Sequence, residues 1–249
     1  MPIGFAPNNG RTPVALVTGA ACRVGRSIAL RLARDGADVA VHFRTSAMEA
    51  EAVAAEIRGL GRRSVTVAGD HTCPDQVATF VRAAREALGP VDVLVNNASI
   101  YSKTPIRAAT AAQFRGFLDA NLMGPFHCVQ AVLPDMLAGR GGLIVNLVDD
   151  VRPPTGYVPY GVSKAALVAL TLGLARELAP DVRVNAVCPG AVLLPGDTSE
   201  ERREAILRKI PLGRMGTPED VAAAVSFLVF GSDYLTGHVL TVDGGRFLG

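Results

Sequence analysis

The sequence has no tryptophan, and all aromatic residues together make up only 5% of it. Its interior must therefore be filled by Ala, Val, Leu and Ile. Cysteine is scarce as well: Cys22, Cys73, Cys128 and Cys188 stand far apart and form no C-x-x-C pair. That spacing excludes a disulfide framework and is the pattern expected of reduced thiols in a cytoplasmic protein. The histidines, His42, His71, His127 and His238, show no H-x-x-x-H spacing, so no metal site is expected. An excess of one charge is missing too. The 25 Lys plus Arg face 23 Asp plus Glu, a net +2, which speaks against a nucleic-acid binder. No apolar run approaches the ~18 residues of a membrane span, so no membrane association is expected. Residues 1–11 lack an apolar signal core and read as a flexible tail.

What the chain does contain is a large apolar fraction, 49%, with 19% charged residues, enough to fill a sizeable core. No repeat, low-complexity segment or composition break divides residues 12–249, and an α/β fold holds about 250 residues in one domain. Short β-branched runs alternate with longer Ala- and Leu-rich stretches. The strand candidates are Val14–Thr18, Asp38–Phe43, Ser64–Gly69, Val91–Asn96, Leu143–Val148, Val182–Val187 and Val239–Val242. Helical patterns cover Val24–Arg34, Ala47–Leu60, Pro74–Leu88, Ala111–Ala120, Gly124–Leu137, Ser163–Ala179 and a stretch from Pro218 to about Phe230. Thr217-Pro218-Glu219-Asp220 is a helix start, with a capping hydroxyl, Pro at the first position and acids at the positive dipole end. Nearly continuous apolar strands between helices imply a Rossmann-type, doubly wound parallel sheet of about seven strands, with helices on both faces and ligands at the carboxyl ends of the strands.

The loop Thr18-Gly19-Ala20-Ala21-Cys22-Arg23-Val24-Gly25 joins the first strand to the first helix and can set backbone N–H groups against a diphosphate. At the end of the second strand an Asp or Glu would select NAD. This chain has His42-Phe43-Arg44-Thr45-Ser46 there. Arg44 can bind a phosphate, with Thr45 and Ser46 as further donors, so NADPH is the expected cofactor. Tyr160 and Lys164, four apart at a helix start, face one way, and a nearby ammonium would lower the Tyr160 pKa and suit it to proton transfer.

The Thr18–Gly25 loop, Asn96-Asn97-Ala98-Ser99, Asn121, the Tyr160/Lys164 pair, Pro189-Gly190 and Val242-Asp243-Gly244-Gly245 occur in this order and together resemble the short-chain dehydrogenase/reductase family, from about Val14 to Gly245. The resemblance implies that Tyr160 is the general acid, that Lys164 binds the nicotinamide ribose, and that Asn121 holds a relay water or merely bends its helix. It implies cofactor contacts from Gly19, Arg23, Val24, Gly25, His42, Asp70, His71, Asn97, Ala98, Ser99, Pro189 and Gly190, with a loop cap as the alternative role of Asp70. It also implies a homotetramer that pairs Gly124–Leu137 with Ser163–Ala179. A substrate lid is expected near residues 191–210, with Val192, Leu193, Leu194 and Pro195 shaping the pocket; the alternative is a surface helix from Glu200 to Lys209.

Three departures from the family pattern stand out. Arg23 replaces a Gly, Ser99 replaces a Gly, and the position of the active-site Ser, thirteen residues before Tyr160, is Leu147. Asp149 is the nearest polar residue, eleven before Tyr160, with Arg152-Pro153-Pro154 in the shortened loop; Asp150 is the other candidate. These departures resemble the pteridine reductase branch. That resemblance implies NADPH-dependent reduction of a dihydropterin or dihydrofolate C=N bond, with Tyr101 stacked on the ring, Ser99 bonded to it, and Arg23 between cofactor phosphate and substrate. An ionised Asp149 would repel a carbonyl oxygen gaining negative charge, whereas an imine nitrogen needs a proton that an Asp–Tyr relay supplies. The alternatives are a carbonyl reductase, acting on a 3-oxoacyl thioester or another ketone, and a non-catalytic NADP(H) sensor.

Overall fold

The computed structural model describes residues 11–150, 154–194, 196 and 198–248. The expected tail, apart from Arg11, and residues Arg152, Pro153 and Pro195 lie outside them. In chain order the elements are β1 (Val14–Val17), α1 (Arg23–Arg34), β2 (Asp38–Phe43), α2 (Ala47–Gly59), β3 (Ser64–Ala68), α3 (Pro74–Leu88), β4 (Val93–Asn96), α4 (Ala111–Leu118), α5 (Gly124–Asp135), β5 (Gly142–Leu147), α6 (Val158–Glu177), β6 (Val182–Pro189), α7 (Glu200–Leu207), α8 (Pro218–Ser226) and β7 (Val239–Val242). The seven strands form one all-parallel sheet in the order β3-β2-β1-β4-β5-β6-β7.

The strands are apolar throughout because both faces are covered. Alternate residues point to opposite sides. Ala15, Val17, Val39, Val41, Val93, Val95, Leu143 and Val145 pack with α1, α2 and α8; Val14, Leu16, Ala40, Leu94, Ile144 and Val184 pack with α3 and α5. Of the predicted α1 anchors, Ile28, Leu30 and Leu32 are all buried. With no Trp available, Phe80 is the bulkiest fully buried side chain among the described residues.

Helices α4 and α5 are not separate. A five-residue π-helical turn, Asp119–Met123, joins them. Pro125 has no N–H to offer the Asn121 carbonyl, and the helix widens there. A second π-helical turn extends α5 and a third, Phe227–Gly231, extends α8. Helix α6 begins at Val158, five residues before its predicted start, with Pro159 in the first turn. At 20 residues and a mean hydropathy of 1.4, α6 is long and apolar enough to cross a membrane, contrary to the sequence expectation. Here it packs on α4 and β6 and buries Tyr160, Ser163, Lys164 and Thr171.

The sheet order reverses between β1 and β4, which opens a crevice at their carboxyl ends. Gly25, in the first turn of α1, lets the helix approach this crevice: a Cβ there would stand 2.2 Å from the Gly19 carbonyl and 2.5 Å from Asn97 Nδ2. Both are groups that cannot move without disturbing the loop. Gly25→Ala should therefore destabilise the fold by about 2 kcal/mol and lower Tm by roughly 4–8 °C, read by calorimetry. An unchanged Tm would mean that the approach is not tight.

Candidate active site at the carboxyl ends of the strands

The crevice is closed by polar stitching. Thr18 Oγ1 accepts N–H bonds from Asn97 and Ala98, each at 3.0 Å, and itself donates to the Val95 carbonyl at 3.3 Å. The Asn97 amide donates to the carbonyls of Thr18 (2.9 Å) and Gly19 (3.1 Å). Asn97 thus holds the loop with its side-chain N–H groups. Thr18, not singled out in the sequence, is the pivot of this arrangement.

The loop suits a diphosphate. Cys22 precedes α1 without a side-chain cap, and no acid stands in the first turn, so no side chain at the helix start competes for the first N–H groups, those of Val24 and Gly25 among them. Gly19 takes φ +62°. Arg23 takes φ +54°, a left-handed conformation that favours Gly and costs another residue about 1–2 kcal/mol. This explains why the family pattern has Gly there. The Arg23 side chain is exposed. Arg44 is exposed at the end of β2, beside Thr45 and Ser46, and its guanidinium lies 3.5 Å from Asp70. Asp70 accepts bonds from the Thr72 N–H (2.9 Å) and hydroxyl (2.8 Å), the loop-cap role. Its carboxyl is held below the usual range by the Thr72 bonds and the Arg44 charge, against an opposing effect of burial.

Two predicted cofactor contacts are corrected. His42 is buried; its Nδ1 accepts the Gly19 N–H at 3.1 Å and its Nε2 donates to the Gly69 carbonyl at 3.0 Å. His71 is buried too, and its Nε2 bonds the Ala120 carbonyl at 2.8 Å. Both rings are struts: the first carries the glycine loop, the second the π-helical turn before α5. A histidine inside the apolar β2 run, between Val41 and Phe43, was the available sign of a buried role.

Tyr160 and Asp149 meet. The Tyr160 hydroxyl donates to Asp149 Oδ2 at 2.7 Å, and Asp149 Oδ1 accepts the Asp150 N–H at 2.7 Å. The shortened loop therefore keeps Asp149, not Asp150, at the tyrosine. Lys164 is buried and gives its ammonium to the Leu147 carbonyl at 2.7 Å. Burial lowers its pKa to about 8, with Asp149 opposing. The Tyr160 pKa is raised, first by burial and then by the Asp149 charge, which overturns the expectation that Lys164 would lower it. Tyr160 is a firmly protonated phenol.

Asn121 is fully buried, and its side chain is used up. Its Oδ1 accepts the Ile100 N–H (2.9 Å), and its Nδ2 donates to the Ile100 carbonyl (3.1 Å) and to Ser163 Oγ (3.0 Å). It is a positioning residue, with no side-chain donor left for a relay water. A second buried chain runs from Asn96 through Asn146 to Thr171, 2.9 Å at each step, and ties α6 to β4 and β5. Tyr101 stacks on Tyr157 (centroids 4.8 Å, 16°) and meets Tyr160 edge-on at 4.8 Å. Tyr101 and Ser99 are exposed at the mouth, while Pro189 and Gly190 end β6 beside it. A Cβ on Gly190 would lie 2.7 Å from Asp243.

A family model described as enoyl-(acyl carrier protein) reductase matches residues 19–246. The chain belongs to the short-chain dehydrogenase/reductase family. It is 38% identical over 244 residues to the 3-oxoacyl-[acyl-carrier-protein] reductase FabG of Staphylococcus aureus, covering 95% of this chain and 99% of the relative. Among solved structures it resembles a 7α-hydroxysteroid dehydrogenase complexed with NADH and 7-oxo glycochenodeoxycholic acid, with a TM-score of 0.90, 32% identity and coverage of 94% and 93% of the two chains. A gluconate 5-dehydrogenase from Burkholderia cenocepacia, in complex with NADP and tartrate, gives a TM-score of 0.89 at 27% identity, covering 95% and 96%. The first of these two solved structures holds NADH and the second NADP.

The His42 strut has a consequence for stability. Burial, with a smaller contribution from His71, lowers its pKa from 6.5 to about 4. The unfolded chain therefore binds a proton that the folded chain refuses. Stability is full above pH 6.5 and falls as pH drops towards 4, by about 3 kcal/mol from this group. Urea titrations at pH 7.0 and 4.5 should show that loss, and His42→Gln should flatten it; an equal slope in the variant would remove His42 from the account.

Proposed function

We propose that this protein is an NADPH-dependent reductase of a ketone, with a 3-oxoacyl thioester as the first substrate to test. The observation that carries a proton-donor role is the buried Tyr160 hydroxyl, held at 2.7 Å from Asp149 Oδ2 beside the crevice. A phenol whose pKa is raised gives up its proton only to an atom made strongly basic as it receives the hydride's electrons. The FabG relative, alike along nearly its whole length, favours a ketone over the dihydropterin C=N bond.

The bound nicotinamide supplies the hydride. The Gly19–Gly25 loop and the first turn of α1 would receive its diphosphate, Arg44 with Thr45 and Ser46 its 2′-phosphate, and Lys164 its ribose hydroxyls. The absence of an acid after β2 favours NADPH over NADH. Tyr160 Oη swings its single proton from Asp149 to the substrate oxygen. Asn121 and Ser163 keep the backbone on either side of Tyr160 in place. Ser163 Oγ does so directly, by donating to the Tyr160 carbonyl at 2.6 Å. Segment 191–210 would cover the substrate.

One observation favours dihydropterin reduction as a second reading. Asp149 accepts the Tyr160 proton at 2.7 Å, where the family's Ser would donate to a carbonyl. An ionised Asp149 works against an oxyanion and in favour of a nitrogen that must be protonated. Parallel assays with acetoacetyl-coenzyme A and dihydrobiopterin separate the two. NADPH consumption with the thioester alone supports the ketone reading; consumption with the pterin alone replaces it.

Tyr160→Phe should cut turnover by about 10²–10⁴-fold with NADPH affinity retained, by stopped-flow and fluorescence titration. Near-normal turnover would remove Tyr160 from its role. Arg44→Asp should narrow or reverse the preference for NADPH over NADH in kcat/KM, and equal use of both cofactors by the parent enzyme would sink the Arg44 argument.

A further inference from the structure

Beyond β6 the structure holds a cavity of about 340 Å³, lined by Val192, Leu193, Leu194, Gly196, Thr198, Arg203 and Met215. Among the described lining residues, Val192, Leu193, Leu194 and Met215 are apolar, and Thr198 and Arg203 carry the polar side chains. Apolar pockets of this size owe their selectivity to the few polar groups aimed into them. Arg203 sits on α7, and its guanidinium makes no ion pair among the described residues, unlike Arg208 on the same helix, which lies 3.5 Å from Glu204. Arg202, the neighbour of Arg203, is close enough to Tyr101 for its charge to act on that phenol. Tyr101 in turn meets Tyr160 at 4.8 Å. A third cation, Lys103, lies alongside Gly156, next to the Tyr157 ring on which Tyr101 stacks. Cations from two separate segments thus border a mouth at which Asp149 is engaged with Tyr160.

We propose that the substrate carries an anionic group on the end remote from its reducible bond, and that Arg203, with Arg202 beside it, receives that group. This deepens the reading of the site as a reductase and rests on it. The apolar wall takes an uncharged chain between the reducible bond and the anion. A guanidinium offers two parallel N–H groups to a carboxylate or phosphate, which fixes the orientation of that tail. The reducible end is then directed back towards Tyr160. Arg203 is a specificity residue: it acts on binding and leaves the proton transfer at Tyr160 unchanged.

The test uses matched substrates with and without the charged tail. The ketone pair is acetoacetyl-coenzyme A, with phosphates, against S-acetoacetyl-N-acetylcysteamine, which is neutral. The C=N pair is dihydrofolate, with its glutamate carboxylates, against neutral dihydrobiopterin. The parent enzyme should prefer the anionic member of whichever pair it reduces. Arg203→Gln should raise KM for that member about tenfold, leave kcat within about twofold, and leave the neutral member unaffected. Arg203→Lys should recover part of the loss.

Equal losses on both members, or no loss on either, would overturn the proposal. So would a parent enzyme that favours the neutral member. Turnover of the pterins but not the ketones would sink the ketone reading while still judging Arg203 on dihydrofolate against dihydrobiopterin. Turnover of none of the four would overturn both.

Discussion

Two strands far apart in sequence, β1 and β4, lie side by side and part at their carboxyl ends, and the polar bonds across that gap decide where a ligand can sit. Thr18 takes the N–H groups of Asn97 and Ala98 on one hydroxyl, and Asn97 returns two bonds to the loop after β1. His42 adds a third anchor from β2 by accepting the Gly19 N–H. Each bond alone contributes about 1 kcal/mol, but they fix one loop from three strands. A loop so held keeps its outward N–H groups aimed without paying entropy at each binding event.

The same dryness that makes these bonds effective sets the chemistry at the other wall. Lys164, buried and bonded to a backbone carbonyl, has a pKa lowered to about 8. Tyr160, buried beside a carboxylate, holds its proton. The geometry expected from the spacing, an ammonium easing a phenol towards phenolate, is outweighed here by desolvation and by Asp149. Burial penalises each charged form, and the nearest charge to the phenol is negative. The phenol is therefore held protonated at rest, and its proton goes to a substrate atom only once that atom has become strongly basic.

The fold was legible because both-face burial leaves a simple trace, short β-branched runs between amphipathic helices, and all seven strands fall where the runs lie. Pro74, Thr217 and Pro218 marked helix starts through their own capping chemistry. The start of α6 was not legible, because that helix is apolar on most sides and its first turn follows a loop whose composition gives no cap. The π-helical turn at Asn121 was not legible either, although Pro125 four residues on is its physical cause. Tyr160, Lys164 and Asp149 could be named from spacing. Their mutual effects could not, since burial is a property of the packed sheet.

Arg23 and Asp149, two of the departures from the family pattern, differ in what they say. Asp149 is accommodated without strain: the trimmed loop returns a carboxylate to the tyrosine, and a backbone N–H from Asp150 holds its other oxygen. Arg23 is strained, standing at φ +54° where Gly would be at ease. A conformational cost of about 1–2 kcal/mol persists only where the side chain returns something a Cβ-less residue cannot. At the open end of α1 that return is positive charge, added to the N–H groups that already favour a diphosphate. On the proposed reading, Arg23 and Arg44 serve the cofactor side and Arg202 and Arg203 the substrate side. Arg44 shares its charge with Asp70, whereas Arg23, Arg202 and Arg203 make no ion pair among the described residues.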